Sequence, residues 1–309
     1  MPVNSEQKEY DICPVCSSQI KMWRVKNVGN ENYKLDLCES CGYSFVNPRP
    51  SLSFLKHYYT LFGHGHDLIG KEAPNLTSIL ADEHNYPNST LDAVRLIKTI
   101  KVLANNVCNN RFLDVGCGYG FFSKEALDAG FEVIALELAE NERKIAKEMT
   151  GLNPAACSFE DFECAPESLS VVFMSQILEH ALDINLWIKK SHDCLVNDGI
   201  LAIALPNYGS IFRIIMQEND PYICPPAHLN FFTPNSLSRL LEKHGFKVEV
   251  VQWVSRIPKR TFEKRLPQFG KPLLRIANAV SSALLKIVDT LHLGMMINVY
   301  GRKCAHSGH

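Results

Sequence analysis

Three groups of residues have the types and spacing that chemistry requires. The first is Arg111 to Gly120, Arg-Phe-Leu-Asp-Val-Gly-Cys-Gly-Tyr-Gly, in which Asp114 is followed by Gly116, Gly118 and Gly120 at alternate positions. Glycines let the backbone approach a ligand that any Cβ would hold off. The N–H groups of a following helix start favour a ligand carboxylate or phosphate. Glu137, near the end of the next apolar run, is placed to accept hydrogen bonds from two ribose hydroxyls. The second group is Cys13-x-x-Cys16 and Cys38-x-x-Cys41, two knuckles that can bring four thiolates to the corners of a tetrahedron. That donor set suits a structural Zn²⁺, with rubredoxin-like iron as the main competitor, and the metal would supply folding free energy that so few residues cannot. Disulfides or a redox pair fit less well, for want of an oxidising compartment or a βαβ setting. The third group is His180 and His228, each following a different strand-like run on the expected carboxyl side of the sheet, where a near-neutral imidazole can act as a base.

These groups need elements to position them. Phe112 to Val115 reads as a buried strand that breaks into the glycines, then a helical pattern over 121–127 closed by Gly130. Further strands are expected over 131–138, near 155–157, and over 171–176, 199–205, 246–253 and 295–300. Surface or core helices are expected over 139–149 and 235–244. Ser89 or Thr90 should N-cap a helix running to Asn105, its apolar stripe being Leu91, Val94, Ile97, Ile100 and Leu103. Alternating strands and helices make an open α/β sheet with the ligand at its carboxyl edge. Ahead of it, strand-like runs at 20–25 and 33–37 carry the cysteine knuckles. The expected division is 1–50 for the metal ribbon, 51–88 for a connector helix and loop, and 89–309 for the ligand-binding domain. Within residues 63–87, read as irregular and polar, His64 and His66 fit a solvated loop better than a site.

Composition narrows the function further. The 309 residues are 46% hydrophobic, enough for one well-cored domain and a smaller appendage. A net charge of −1 argues against bulk electrostatic binding of nucleic acid. The first ten residues are polar and show no signal peptide, and no apolar run reads as a bilayer-spanning helix. Eleven cysteines, mostly scattered singly, suit a reducing cytoplasm.

A dinucleotide site would read Gly-x-Gly-x-x-Gly, whereas this chain reads Asp-x-Gly-x-Gly-x-Gly. With Glu137 at the next strand end, the region resembles the first two motifs of class I S-adenosylmethionine-dependent methyltransferases. The resemblance implies a Rossmann-like seven-stranded sheet with helices on both faces, preceded by a small zinc-ribbon β domain. It implies S-adenosylmethionine bound by Asp114, Gly116, Cys117, Gly118, Gly120, Glu137 and Leu138, with Asp161 and Phe162 near the adenine; core packing is an equal reading for Phe162. Val171 to Gln176 followed by Leu178-Glu179-His180 resembles the fourth strand and Leu-Glu-His signature, adding Gln176 and Glu179 to the cofactor set. Ser170 stands where an acid usually precedes that strand. Ubiquinone-type O-methyltransferases of this group carry Glu-x-x-Glu-His; here Gln176 replaces the first acid, and a neutral amide is a poor third ligand for Mg²⁺ beside Glu179 and His180. His228…Phe232-Thr233-Pro234…Gly245-Phe246 resembles the same group, placing His228 over the active-site mouth.

The cysteine ribbon running into Asn47-Pro48-Arg49-Pro50-Ser51 resembles methyltransferases that modify sugars, glycan precursors or other small metabolites. The expected activity is therefore O- or C-methylation of a small acceptor. An RNA methyltransferase gripping its substrate with the ribbon, or a non-catalytic binding module, are the alternatives. Residues 256–275 carry Arg256, Lys259, Arg260, Lys264, Arg265, Lys271 and Arg275 against Glu263, and a helix follows with Leu273, Ala277, Val280, Leu284, Ile287 and Leu291 at helical spacing. This insertion, about 256–292, reads as a lid or dimer helix packed on the core. The alternative is a basic amphipathic surface for a membrane or a lipid-linked, phosphate-bearing acceptor.

Overall fold

The computed structural model describes residues 8–55, 58, 74–85, 87–256 and 271–304. His64, His66 and most of the basic run at 257–270 lie outside the described residues. Strands β1 (Lys21–Val28), β2 (Glu31–Leu37) and β3 (Ser44–Val46) form an antiparallel ribbon. Helices α1 (Leu76–Asn85) and α2 (Ser89–Leu103) then lead into β4 (Arg111–Val115), α3 (Phe121–Asp128), β5 (Glu132–Leu136) and α4 (Glu140–Thr150). Next come β6 (Leu169–Ser175), α5 (Ile184–Cys194), β7 (Leu195–Pro206), α6 (Ile211–Met216) and β8 (Asn230–Phe231). The chain finishes with α7 (Pro234–Lys243), β9 (Phe246–Val254), α8 (Lys271–Thr290) and β10 (Met296–Lys303).

The main sheet has the order β5-β4-β6-β7-β10-β9. β5, β4, β6 and β7 run parallel, and β10 is inserted antiparallel to both β7 and β9. The carboxyl ends of β4 to β7 therefore share one edge, where a ligand site belongs. Alternation along each strand feeds two cores. Val172 and Met174 join Leu113, Ile188, Leu237 and Leu240 on one face. Val171 and Phe173 join Leu96, Ile97, Ile100 and Ala126 on the other. With apolar residues required on both faces, these strands read as continuous hydrophobic runs.

Several sequence expectations change. The sheet has six strands: the third expected strand shrinks to one parallel bridge, Leu136 to Ala155. Pro154 has no N–H to extend the ladder, and Ala155 alone donates to Ala135 O and accepts from Glu137 N. The irregular reading of 63–87 misses α1, whose start is closed by a reciprocal Asn75–Ser78 pair: Ser78 N donates to Asn75 Oδ1 and Asn75 N to Ser78 Oγ. Neither Ser89 nor Thr90 caps α2. The Glu83 carboxylate, reaching over from α1, accepts from the N–H groups of Asn88, Ser89 and Thr90. The buried face of α2 is Ala93, Leu96, Ile97 and Ile100, leaving Leu91 and Val94 exposed. On α8 the stripe faces outward: Val280, Leu284, Ile287 and the following Leu291 are exposed, while Leu285 is buried. No helix among the described residues is long and apolar enough to cross a membrane.

The ribbon is joined to the main body. β8, from the segment between β7 and α7, adds to β3 as the fourth strand of the small sheet, pairing Ser44 with Phe231 and Phe45 with Asn230. Cys13, Cys38, Cys41, Tyr43 and Phe45 belong to the same buried cluster as Leu113 and Val172.

Candidate active site

β4 delivers Asp114 and the glycine turn to the carboxyl edge. Asp114 is buried and accepts a hydrogen bond from Ser123 Oγ at 2.6 Å. Burial pushes its carboxyl up to about 7, against the pull of the Ser123 hydroxyl. Gly116 has φ +71°, and a Cβ there would lie 2.5 Å from Ile177 Cδ1. Gly120, with φ +89°, sits against Ala146 of α4. At Gly118, φ +52°, an added Cβ would meet no atom of the described residues within 4 Å. The backbone is thus tight at the two outer glycines and open at the middle one, the side from which a ligand can approach. Cys117 is buried and its N–H donates to Leu136 O, tying the turn to β5.

Glu137 lies at the carboxyl end of β5, 3% exposed. Its Oε2 accepts from Gly118 N at 2.9 Å and its Oε1 from Ala139 N at 2.9 Å. The acid expected to hold a ribose thus also braces the glycine turn. Leu138, beside it, is exposed. Asp161 and Phe162 stand on a separate turn whose hydrogen bonds are internal: Asp161 Oδ2 accepts from Ser158 Oγ at 2.9 Å, and Phe162 packs half-buried on the core. Gln176 is exposed at the end of β6 with φ +53°, its N–H donating to Ala204 O.

Glu179, His180 and His228 converge at the carboxyl edge, their ligand atoms within 4.8 Å of one another. Glu179 is 1% exposed, and neither of its carboxylate oxygens has a hydrogen-bond partner among the described residues. Burial pushes its carboxyl up to about 8, against the pull of its own backbone N–H. His180 Nδ1 lies 2.8 Å from Ala227 O, and His228 Nδ1 lies 2.7 Å from Tyr222 O. A carbonyl can only accept, so each ring donates Nδ1–H to its carbonyl. Burial depresses the basicity of His228, keeping it neutral near pH 7. Glu179 and His228 line a small cleft with Asn207, Tyr208, Arg213 and Tyr222. Ile177, two residues before Glu179, rests on Gly116, so one short segment joins the glycine turn to the Glu179-His180 pair.

The cysteine centre lies away from this cleft. Sγ separations are 3.7 Å for Cys13–Cys41 and 3.5 Å for Cys16–Cys38, and all four sulfurs fall within 4.8 Å. A tetrahedron with metal–sulfur bonds of about 2.3 Å has edges of ~3.8 Å, so the four thiols fit one ion. Each knuckle turns through a left-handed residue, Ser17 or Gly42, whose N–H returns to the carbonyl of Cys13 or Cys38. The main body grips both knuckles: Asn185 and Lys243 donate to Pro14 O, and Asn235 to Cys41 O.

The sequence reasoning missed what connects ribbon and cleft. Arg49, read there only as part of a stiff connector, is 1% exposed and has no ion-pair partner among the described residues. Its guanidinium donates to Leu229 O, Asn230 Oδ1 and Tyr43 Oη. An arginine between two prolines directly after a metal ribbon was the available signal.

Residues 87–251 match a family model described as a methyltransferase domain. The Bos taurus protein named ubiquinone biosynthesis O-methyltransferase, mitochondrial, is 27% identical over 156 residues, covering 46% of this chain and 42% of its own. A Pelagibacter ubique (strain HTCC1062) protein named ubiquinone biosynthesis O-methyltransferase is 28% identical over 134 residues, covering 40% and 55%. This chain thus spans about half the length of the curated relatives it matches. A solved S-adenosylmethionine-dependent methyltransferase from Archaeoglobus fulgidus superimposes with a TM-score of 0.50 at 20% identity, over 73% of this chain and 99% of that one, which is a likeness of fold.

Proposed function

The chain belongs to the methyltransferase-domain family, and from that premise we propose that it transfers a methyl group from S-adenosylmethionine to a hydroxyl of a small organic acceptor. The observation that carries this reading is the convergence of Glu179, His180 and His228 at the carboxyl edge, where Glu179 and His228 line a cleft and the neighbouring Ile177 rests on Gly116 of the glycine turn. S-adenosylmethionine supplies an activated methyl group, which leaves the protein with positioning, desolvation and removal of the acceptor's proton. Asp114 and the turn over 116–120, braced by Glu137, shape the cofactor cradle, and Gly118 offers its open side. The acceptor lies in the cleft, its hydroxyl toward Glu179, His180 and His228. Two imidazoles whose Nδ1–H groups are fixed on carbonyls present their Nε2 atoms in set directions, suited to drawing off that proton.

The names of the relatives favour oxygen over carbon as the atom methylated. Sugar and glycan acceptors, suggested by the N-terminal resemblance, have no counterpart among the relatives named above. The cysteine centre reads as a structural Zn²⁺ site: four thiolates close the coordination sphere, and the knuckles are held from both sides. The exposed stripe on α8, beside a basic stretch of sequence, supports peripheral contact with an anionic membrane or a lipid-linked acceptor. The decisive test offers labelled S-adenosylmethionine and a panel of phenols, hydroxy acids and sugars. Label should pass to hydroxyl acceptors in the wild type and fail to pass when His180 and His228 are both alanine. Unchanged turnover in that variant, with cofactor binding abolished in Asp114→Ala, would overturn the assignment of the cleft.

A further inference from the structure

We propose that Arg213 is the acceptor-recognition residue of this cleft, and that the acceptor it selects is a small hydroxyl compound carrying an anionic group, a carboxylate or a phosphate monoester. β7 ends at Pro206 on the ligand edge of the sheet, and the chain turns through Asn207 and Tyr208 into α6. The start of α6 is fixed by Ser210 Oγ, which accepts from Arg213 N at 3.1 Å. Arg213 therefore stands just beyond a strand end, half-buried, and lines the same cleft as Glu179 and His228. Its guanidinium is oriented from two sides. Nε donates to Tyr208 O, and the group lies 4.2 Å from the centroid of the Tyr208 ring. Trp23 of β1 meets that ring edge to face at 5.6 Å and lies 5.9 Å from the same guanidinium, so the ribbon backs the arginine. With Nε engaged, the two Nη groups remain, and neither has a hydrogen-bond partner among the described residues. Two N–H groups side by side are what a carboxylate or phosphate takes up in a bidentate pair.

A half-buried cation without an acid calls for an anion. No carboxylate among the described residues forms an ion pair with Arg213, whereas Arg24, 5.5 Å from the same Trp23 ring, is paired with Glu218 at 3.4 Å. The acids nearest the cleft do not fill that place. Asp220, buried in the loop after α6, turns Oδ1 to the Tyr222 N–H at 2.8 Å. Burial raises its carboxyl, with Arg213 and Lys26 drawing it down. Glu179 is largely protonated at neutral pH, and His228 is neutral there. Among the described residues lining the cleft, Arg213 thus carries the one permanent positive charge. The cleft is small, so hydroxyl and anion must sit on a compact skeleton. This assignment deepens the reading of the cleft as the acceptor site and rests on it.

The test uses the full-length protein, saturated with S-adenosylhomocysteine for calorimetric binding and supplied with labelled S-adenosylmethionine for transfer. Matched compounds are offered: 3-hydroxybenzoate against 3-hydroxybenzyl alcohol, and glucuronate or glucose 6-phosphate against glucose. In the wild type at least one anionic compound should bind ~10-fold or more tightly than its neutral partner. Whether the carboxylates or the phosphate gain identifies the group. Arg213→Gln should bring the anionic and neutral partners within about twofold of each other, raising KM far more than it lowers kcat. Arg213→Lys should keep only part of the preference, since a point charge replaces the fork. Arg24→Gln removes a charge that is already paired and should leave the preference unchanged. The proposal is overturned if no anionic compound gains over its neutral partner, or if the preference survives Arg213→Gln or is lost in Arg24→Gln. Melting temperature and S-adenosylhomocysteine affinity report on folding; should Arg213→Gln not fold, a full preference in Arg213→Lys overturns the proposal instead. Anion binding that depends on Arg213 without methyl transfer removes only the methyltransferase reading. Transfer to neutral and anionic acceptors alike removes only the role given to Arg213.

Discussion

Arg49 Nη2 donates to Asn230 Oδ1 at 2.6 Å, and Asn230 Nδ2 in turn serves the carbonyls of Leu178, Glu179 and Ala181. One side chain from the end of the cysteine ribbon thereby sets the backbone that carries Glu179 and His180. The same guanidinium holds Leu229 O, next to His228. The ribbon is a brace for the cleft, and breaking it should be felt there.

Replacing Arg49 by Met removes a buried charge with three hydrogen-bonding partners and leaves Leu229 O with Val46 N, and Asn230 Oδ1 with Tyr43 Oη, as their remaining donors. Unfolding in urea should show a loss of roughly 2–4 kcal/mol. Arg49→Lys should restore little, because one ammonium cannot reach two acceptors as a planar fork does. Methyl transfer should fall more than S-adenosylmethionine affinity, since the glycine turn lies on other elements.

Cys38→Ser should lower the metal content to below one tightly bound ion per chain by elemental analysis and reduce the melting temperature. Ribbon and main body share one core containing Cys13, Cys38, Tyr43 and Phe45, so loss of the ion loosens both. Cofactor binding should survive at low temperature while transfer is lost. A variant with full metal content would show that the cysteines do not hold the ion.

The three glycines should separate by mechanism. Gly116→Ala combines a left-handed backbone with a Cβ 2.5 Å from Ile177 Cδ1, and should destabilise by more than about 2 kcal/mol. Gly118→Ala meets no protein atom and should cost only the ~1–2 kcal/mol of its positive φ. Its larger effect should be on cofactor affinity in a calorimetric titration. Equal loss of affinity and stability at both positions would argue against a ligand over Gly118.

Asp114 gives a pH signature. Burial raises its folded pKa to about 7 from an unfolded value of about 3.9. Between those values the native state holds a proton that the unfolded chain releases, so this group's contribution to stability declines as pH rises from 4 to 7. Asp114→Asn does not titrate. The melting temperature of the wild type minus that of the variant should therefore shrink over that range, and a constant difference would count against the buried protonated carboxyl.

Contact with a membrane would use the exposed stripe of α8. Leu284→Glu combined with Ile287→Glu should abolish co-sedimentation with anionic vesicles at low salt while leaving the melting temperature nearly unchanged, as both side chains face solvent.

Much of this protein was legible in its sequence because the relevant interactions are local. The strand, glycine turn and helix over 111–128 are fixed by apolar runs and by backbone angles that only glycine adopts cheaply. The two Cys-x-x-Cys knuckles follow from spacing alone. Edges and faces were harder. The phase of α2, the outward stripe of α8 and the collapse of the third strand to one bridge depend on which neighbour lies alongside, and periodicity carries no record of that.

What only tertiary structure decided is the company each polar side chain keeps. Sequence placed His228 on a different segment from Glu179 and His180; the fold brought their ligand atoms within 4.8 Å and left the acid without a hydrogen-bond partner among the described residues. Sequence likewise gave no hint that Arg49 reaches Asn230, a contact spanning 181 positions. Such contacts arise when distant segments are desolvated together, and a buried polar atom then takes whichever partner the packing supplies.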